Sequence, residues 1–142
     1  MQLVERHLLK KDDSRYAMID SAAFASKNLY NQANYQIRHA FIHEGKYHPY
    51  AEIFHRVKHL DCHKALPAKV SNSILILLHK NWTAFFEAIK AYQDDPTKFT
   101  GRPKLPRYKD KEKGRKFSFM TNRHLGSASS KRPANLSLPV WL

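Results

Sequence analysis

One stretch of this chain carries most of its excess positive charge, at a density suited to holding phosphate groups. Between Gly101 and Lys116, eight lysine or arginine residues stand against two acids. They recur at about every second or third position, and Pro103 and Pro106 stiffen the first half of the segment. Contacts to phosphate supply most of the sequence-independent affinity of protein–nucleic acid complexes. We therefore predict phosphate contacts from Arg102, Lys104, Arg107, Lys109, Lys111, Lys113, Arg115 and Lys116.

One tyrosine, Tyr108, lies among these cations. Aromatic rings in single-strand and RNA sites stack on bases or sugars, and we assign that role to Tyr108. The alternative interpretation of the segment is a solvated, charged linker. Its proline and aromatic content favours nucleic acid, and so does the net charge of +13 on 142 residues. A charge of that size is self-repulsive unless a partner neutralises it.

Two sets of histidines are spaced so that each would line one face of a helix. Neither set contains the glutamate of the H-E-x-x-H zinc motif, and neighbouring lysines would repel a cation. We interpret them as surface groups that add positive charge near a polyanion, and we predict no metal and no cofactor. The sets are His39 with His43, and His55 with His59 and His63.

Groups for other catalytic mechanisms are sparse. Asp20 and Glu87 each stand alone, whereas a two-metal nuclease needs carboxylates that converge from separate elements. Cys62 with His59 or His63 is the one candidate nucleophile pair, at an unfavourable helix end. A single cysteine also excludes an internal disulfide framework and a cysteine zinc ribbon. We therefore expect that the chain is not an enzyme by itself.

The apolar periodicity predicts three helices that would position these groups. The first covers residues 15–43, with Ser14 as its N-cap and Gly45 at its end. Pro49 opens a short second helix, and Pro67 opens a third that runs to about residue 92. The inward face of the third helix carries Val70, Ile74, Leu77, Leu78, Trp82, Phe85, Phe86 and Ile89.

Two short strands are predicted in addition, at residues 3–9 and 115–122, so the expected fold is mainly α with a few short β-strands. From residue 126 the composition turns to serine and turn formers, and the chain then ends in an apolar Val-Trp-Leu. No apolar run approaches the roughly 20 residues that span a bilayer. Charges interrupt the N-terminal apolar stretch, so we do not expect it to be a signal peptide. We expect a cytoplasmic protein without a membrane partner.

Three segments together resemble the N-terminal part of the TnpB (OrfB) proteins of insertion sequences, relatives of the type V CRISPR effectors. "KNLYNQANYQIR", residues 27–38, is similar to the family's early helix with its aromatic-Asn pair and following arginine. "LPAKVSNSILILLHKNWTAFFEAIKA", residues 66–91, is similar to the next long helix. "GRPKLPRYKDK", residues 101–111, looks like the family's Gly-x-Pro-x-aromatic-Lys turn. Their order and spacing fit as well, and the resemblance covers residues 1–125.

The resemblance implies a region of a transposon-encoded, RNA-guided DNA endonuclease. In that family a long helical hairpin is inserted in a β-barrel wedge, which would be incomplete here, and the two grip guide RNA and target DNA. RNA and DNA are therefore the expected partners. On the first helix, Tyr30, Asn31 and Arg38 are expected to be secondary nucleic-acid contacts.

Departures from the family pattern limit the expected activity. The family's nuclease domain and zinc ribbon need later carboxylates and paired cysteines, but no acid follows Glu112 and no cysteine follows Cys62. We expect a nucleic-acid-binding fragment without nuclease, with residues 126–142 as a divergent or truncated tail. Self-association or a missing nuclease half are further expected partners. The alternatives are an endonuclease completed by a downstream reading frame and a small basic regulator of its own element.

Overall fold

The computed structural model describes residues 5–115, and this part of the chain is mainly helical, as predicted. The first and the last α-helix begin and end within two residues of their predicted limits. A short 3₁₀ turn, Pro96–Lys98, follows the last of them. The four α-helices are α1 (Tyr16–Glu44), α2 (Tyr50–Val57), α3 (Asp61–Lys64) and α4 (Ala68–Asp94).

Gly45 ends α1, whereas the start of this helix has no side-chain cap among residues 5–115. Gly45 has a left-handed φ of 64°, and the backbone N–H groups of Gly45 and Lys46 both donate to the carbonyl of Ala40. At the start, Arg15 is the N-cap residue and no side chain among residues 5–115 caps the helix, so the prediction that Ser14 caps it is wrong. The Asp13 carboxylate accepts the backbone N–H of Arg15 itself, at 2.9 Å. The Asp13 carboxylate also pairs with the Arg15 guanidinium, which a serine hydroxyl cannot do.

Two short helices connect α1 to α4. Pro49 is the N-cap of α2, as predicted, and Ile53 and Val57 of α2 are buried. The helix α3 was not predicted from the sequence. With four residues, it is too short to show a 3.6-residue period.

The hydrophobic core lies between α1, α2 and α4. On α4 the residues Val70, Ile74, Leu78 and Trp82 repeat every four positions and are at most 1% exposed. This spacing places them on one helical face, as the sequence predicts. Several further aromatic rings surround the Trp82 indole, which adds apolar area and edge-to-face contacts. The core residues that α1 contributes are Leu29, Tyr30, Ala33 and Ile37.

The two long helices do not form the arms of a simple hairpin. Tyr30 on α1 is hydrogen-bonded to Asn81 on α4, and Phe41, farther along α1, packs on Phe86, farther along α4. The contacts therefore advance in the same direction along both helices. The segment containing α2 and α3 carries the chain back between them.

No β-strand occurs between residues 5 and 115. Residues 5–10 have no regular secondary structure, so the strand predicted for residues 3–9 is not seen in its described part. Leu8 is 85% exposed there, and an isolated strand has no neighbour to satisfy its backbone groups. The other predicted strand, except Arg115, and the whole tail from residue 126 lie outside the described residues.

Candidate nucleic-acid interface

The cationic strip, residues 101–115, is held against α1 by its own backbone. Three of its carbonyls, those of Pro106, Lys109 and Lys111, accept hydrogen bonds from polar side chains of α1. As the residue numbers increase along the strip, those of the donors on α1 decrease, so the strip lies antiparallel to the helix. A solvated linker would have left these carbonyls to water.

The donors on α1 form a polar stripe, defined here as Lys27, Asn31, Asn34 and Arg38. Spacings of four, three and four residues place all of them on one face of the helix. Sequence reasoning had named Asn31 and Arg38 for another role and had missed Lys27 and Asn34. The available signal was this regular polar spacing on a helix whose other side is apolar.

Asn31 makes two reciprocal bonds to the backbone of Lys109. Its Oδ1 accepts the Lys109 N–H at 2.8 Å, and its Nδ2 donates to the Lys109 carbonyl at 2.9 Å. Because a backbone N–H can only donate and a carbonyl can only accept, the orientation of the amide is fixed. Asn31 thus satisfies one backbone donor and one backbone acceptor of the strip, as a neighbouring β-strand would.

Asn34 links the strip to the hydrophobic core. The fully buried Trp82 donates its indole N–H to Asn34 Oδ1 at 3.0 Å, and Asn34 Nδ2 donates to the Pro106 carbonyl at 3.0 Å. The indole is only a donor, so it decides which side of the amide faces it. Arg38 donates to the same Pro106 carbonyl at 2.9 Å. Beside this carbonyl, Leu105 packs against the core.

Lys27 brings a buried charge to the end of the polar stripe. It is 2% exposed, its ammonium donates to the Lys111 carbonyl, and it lies 3.8 Å from the centroid of the Phe24 ring. Burial of an ammonium is costly unless hydrogen bonds and charge compensate it. Here the compensation comes from a strip carbonyl and an aromatic face.

A tight turn follows at Asp110. The Asp110 carboxylate accepts the backbone N–H groups of Glu112 and Lys113 at 3.0 and 2.6 Å. These bonds, with a smaller contribution from the Lys27 charge, lower the pKa of Asp110. A β-carbon on Gly114 would lie 2.4 Å from the Asp110 carbonyl oxygen, so this position requires glycine.

The strip ends in an ion pair with the start of α1. Arg115 Nε lies 2.7 Å from Asp20 Oδ1, and this bond lowers the pKa of Asp20 below its usual range. Asp20, which stands alone in the sequence, is thus committed to a residue 95 positions away. Arg115 is the one strip cation with a carboxylate within 4 Å among residues 5–115.

Most of the other predicted phosphate contacts are exposed to solvent. Lys109 is half-buried, with its ammonium 5.2 Å from the centroid of the Tyr30 ring, and Lys116 lies outside the described residues. The remaining cations are exposed, and within residues 5–115 none has a carboxylate partner. These outward cations are Arg102, Lys104, Arg107, Lys111 and Lys113.

Tyr108 is held in place but remains accessible. Its side chain is 44% exposed, and the Arg38 guanidinium lies 4.9 Å from the centroid of its ring. Arg38 therefore fixes both the Pro106 carbonyl and one face of the Tyr108 ring. The other face is the one on which a base can stack.

The three secondary contacts predicted on α1 have structural roles inside the protein. Tyr30 is 2% exposed and accepts a hydrogen bond from Asn81, and burial raises the pKa of its hydroxyl. Asn31 and Arg38 use their polar groups on the strip. Direct contact of these residues with nucleic acid stays a prediction.

Among residues 5–115 no three His, Cys, Asp or Glu side chains converge as metal ligands would. The rings of His39 and His43 lie 4.6 Å apart on the exposed side of α1. Burial raises the pKa of the Cys62 thiol, which keeps it protonated and makes it a poor nucleophile.

Comparisons with protein-family models, with curated proteins and with solved structures found no match for this chain. None of the helices between residues 5 and 115 combines the length and the apolar character needed to cross a membrane.

Proposed function

We propose that this chain binds nucleic acid through the phosphate backbone, with the outward cations of the strip as its contacts. The observation that carries the proposal is that the backbone and the side chains of the strip have different partners. Its carbonyls are occupied by the polar stripe of α1, whereas Arg102, Lys104, Arg107, Lys111 and Lys113 point to solvent.

Anchoring of this kind supports tight binding. A free linker with the same charges loses conformational entropy when it wraps a polyanion, and that loss weakens binding. In this chain folding has already ordered the segment. The phosphate contacts that we assign to Lys109 and Arg115 are secondary, because these two side chains already have partners in the protein.

The family resemblance supports a more specific form of this proposal. In this form of the proposal, the chain corresponds to the N-terminal region of a TnpB-like protein. It is cytoplasmic, and its partners are guide RNA and target DNA. The incomplete β-barrel wedge, with residues 115–122 as one strand, belongs to the same proposal.

The proposal is tested by titrating the chain with a structured RNA and with duplex DNA across a series of salt concentrations. Each phosphate contact releases counterions, so for duplex DNA five contacts predict a slope of log K against log salt of about −4.5. An affinity that does not change with salt concentration would overturn the proposal.

A matched pair of variants locates the effect. Replacing Arg102, Lys104 and Arg107 by glutamine removes three outward cations and is expected to flatten the slope by about 3. The control replaces three exposed lysines outside the strip, Lys46, Lys69 and Lys90, by glutamine and removes the same charge. An equal loss in both variants would show that net charge, and not the strip, governs binding.

We further propose that this region does not cut DNA by itself. Asp20 is occupied by Arg115, and the other carboxylates among residues 5–115 form no cluster. Plasmid incubated with the chain, magnesium and structured RNA is expected to remain uncut. Cleavage that is abolished by substitution of Glu87 or Asp20 would favour the endonuclease alternative.

A further inference from the structure

A cleft of about 710 Å³ lies beside the strip, between α1, α3 and Tyr108. Its volume falls within the roughly 300–1,000 Å³ that is usual for small-molecule sites. Apart from Lys111 on its rim, the proposed phosphate contacts do not use it. Its walls combine aromatic rings and side-chain amides with Leu60, Cys62 and the carboxylate of Asp61.

Two accessible tyrosines supply the aromatic surface. Tyr35 on α1 is 56% exposed, and Tyr108 on the strip is 44% exposed. Arg38 covers one face of the Tyr108 ring and so restrains its orientation. An exposed ring with a restrained orientation, as Tyr108 has, is suited to stacking on the flat face of a base.

Two side-chain amides supply hydrogen-bonding groups. Asn28 and Gln32 are one turn apart on α1, both line the cleft, and neither bonds to another group among residues 5–115. Asn31, which lies between them, is by contrast fully occupied by Lys109. A free amide can both donate and accept, which is what the edge of an unpaired base requires.

The cleft also adjoins the phosphate path. Lys111, one of the outward cations, lies on its rim beside Tyr108. A base that enters the cleft therefore remains joined to a sugar and phosphate that the strip can hold. In a duplex the bases are stacked and paired inside the helix, so only a single strand or an extruded nucleotide can place a base here.

We propose that this cleft binds one unstacked base of a single-stranded nucleic acid whose phosphates lie along the strip. The base stacks on Tyr108 and its edge is hydrogen-bonded by the amides of Asn28 and Gln32. This inference rests on the proposed function and adds to it a contact that depends on bases and not on charge.

The test compares two single-stranded oligonucleotides of equal length and phosphate count, one with all bases and one abasic. Both are prepared as RNA and as DNA, and their affinities for the full chain are measured at one salt concentration. In at least one of the two series we expect the strand with bases to bind about tenfold more tightly, which is the order of one stacking contact. The series that shows the preference identifies the nucleic acid.

Variants then place the preference in the cleft. Tyr108→Leu and Gln32→Ala are expected to bring the affinity for the strand with bases toward that for the abasic strand. Tyr108→Phe keeps the ring and is expected to retain the preference. Gln93→Ala, at an exposed position near the end of α4 outside the cleft, is the matched control for Gln32→Ala.

The outcomes separate this inference from the function on which it rests. Equal affinity for both strands in the RNA and the DNA series would overturn the base site and leave phosphate binding standing. A preference that survives both Tyr108→Leu and Gln32→Ala would overturn its location in this cleft. Failure to bind any single strand, in a chain that still binds structured RNA or duplex DNA, would overturn the base site alone, and failure to bind any nucleic acid would overturn both.

Discussion

The amide of Asn31 and the backbone of Lys109 form a reciprocal pair of hydrogen bonds, 2.8 and 2.9 Å long, across 78 residues of sequence. These two bonds hold the middle of the cationic strip on α1. A segment with so much charge and proline would be expected to remain solvated. Instead it lies in a fixed place on α1, so its side chains have defined directions.

We expect Asn31→Ala to release the middle of the strip. The substitution leaves both Lys109 backbone groups without their partner, and the free energy of unfolding should fall by about 1–2 kcal/mol. Chemical denaturation measures this loss, and tryptic cleavage after Arg107 and Lys109 should become faster. Asn28→Ala removes an asparagine of the same helix whose side chain makes no hydrogen bond within residues 5–115, and it should change neither result.

Asn34→Ala should be more damaging, because it removes the acceptor of a fully buried indole N–H and one donor to Pro106. A buried donor without a partner costs about 1–3 kcal/mol. A double-mutant cycle with Trp82→Phe isolates this bond by denaturation. If Asn34→Ala costs as much in the Trp82→Phe background as in the native one, the link from core to strip does not contribute as described.

Gly114→Ala should open the turn at the end of the strip. The new β-carbon would meet the Asp110 carbonyl at 2.4 Å, so the turn must shift and the Arg115–Asp20 pair with it. Hydrogen exchange of the amides of residues 112–115 should accelerate. Gly101→Ala is the control, because a β-carbon there meets nothing within 4 Å, and unchanged exchange in both variants would contradict the geometry.

Acid should destabilise the fold partly through His63. Its Nε2 is buried without a hydrogen-bond partner among residues 5–115, and burial lowers the pKa of the imidazole from 6.5. The unfolded chain therefore binds this proton at a higher pH than the folded chain, so stability falls as the pH drops below about 6.5. Below the pKa of His63 in the folded chain, the imidazole is protonated in both the folded and the unfolded state. The loss of stability that this group causes then no longer grows.

Denaturation midpoints between pH 7.5 and 5 measure this effect. We expect His63→Gln to have a shallower pH dependence than the native chain. His55→Gln, at an exposed position on α2, should leave the dependence unchanged. A dependence that is the same in all three proteins would show that His63 is not the group responsible.

The long helices and their core could be predicted from the sequence because periodicity reports burial directly. Residues such as Val70, Ile74 and Trp82 repeat at helical spacing, and the prolines and Gly45 mark the boundaries. The N-cap of α1 was predicted wrongly because Ser14 is a good acceptor, whereas the N-cap residue is Arg15 and no side chain among residues 5–115 caps the helix. The neighbouring Asp13 carboxylate bonds the backbone N–H and the guanidinium of Arg15.

The attachment of the strip could not be predicted from the strip itself, because any residue type can accept a hydrogen bond through its backbone carbonyl. The donors on α1 do have a recognisable pattern, which is the spacing of Lys27, Asn31, Asn34 and Arg38. That spacing is ambiguous in a sequence, since a polar face is usually the solvated one.

The most direct measurement of the central claim is lysine acetylation, read by mass spectrometry, with and without a structured RNA. We expect RNA to protect Lys104, Lys111 and Lys113 and to leave Lys46, Lys69 and Lys90 reactive. Lys27, which is 2% exposed, should be unreactive in both samples and reports that the fold is intact. Strip lysines that react equally with and without bound RNA would contradict the account.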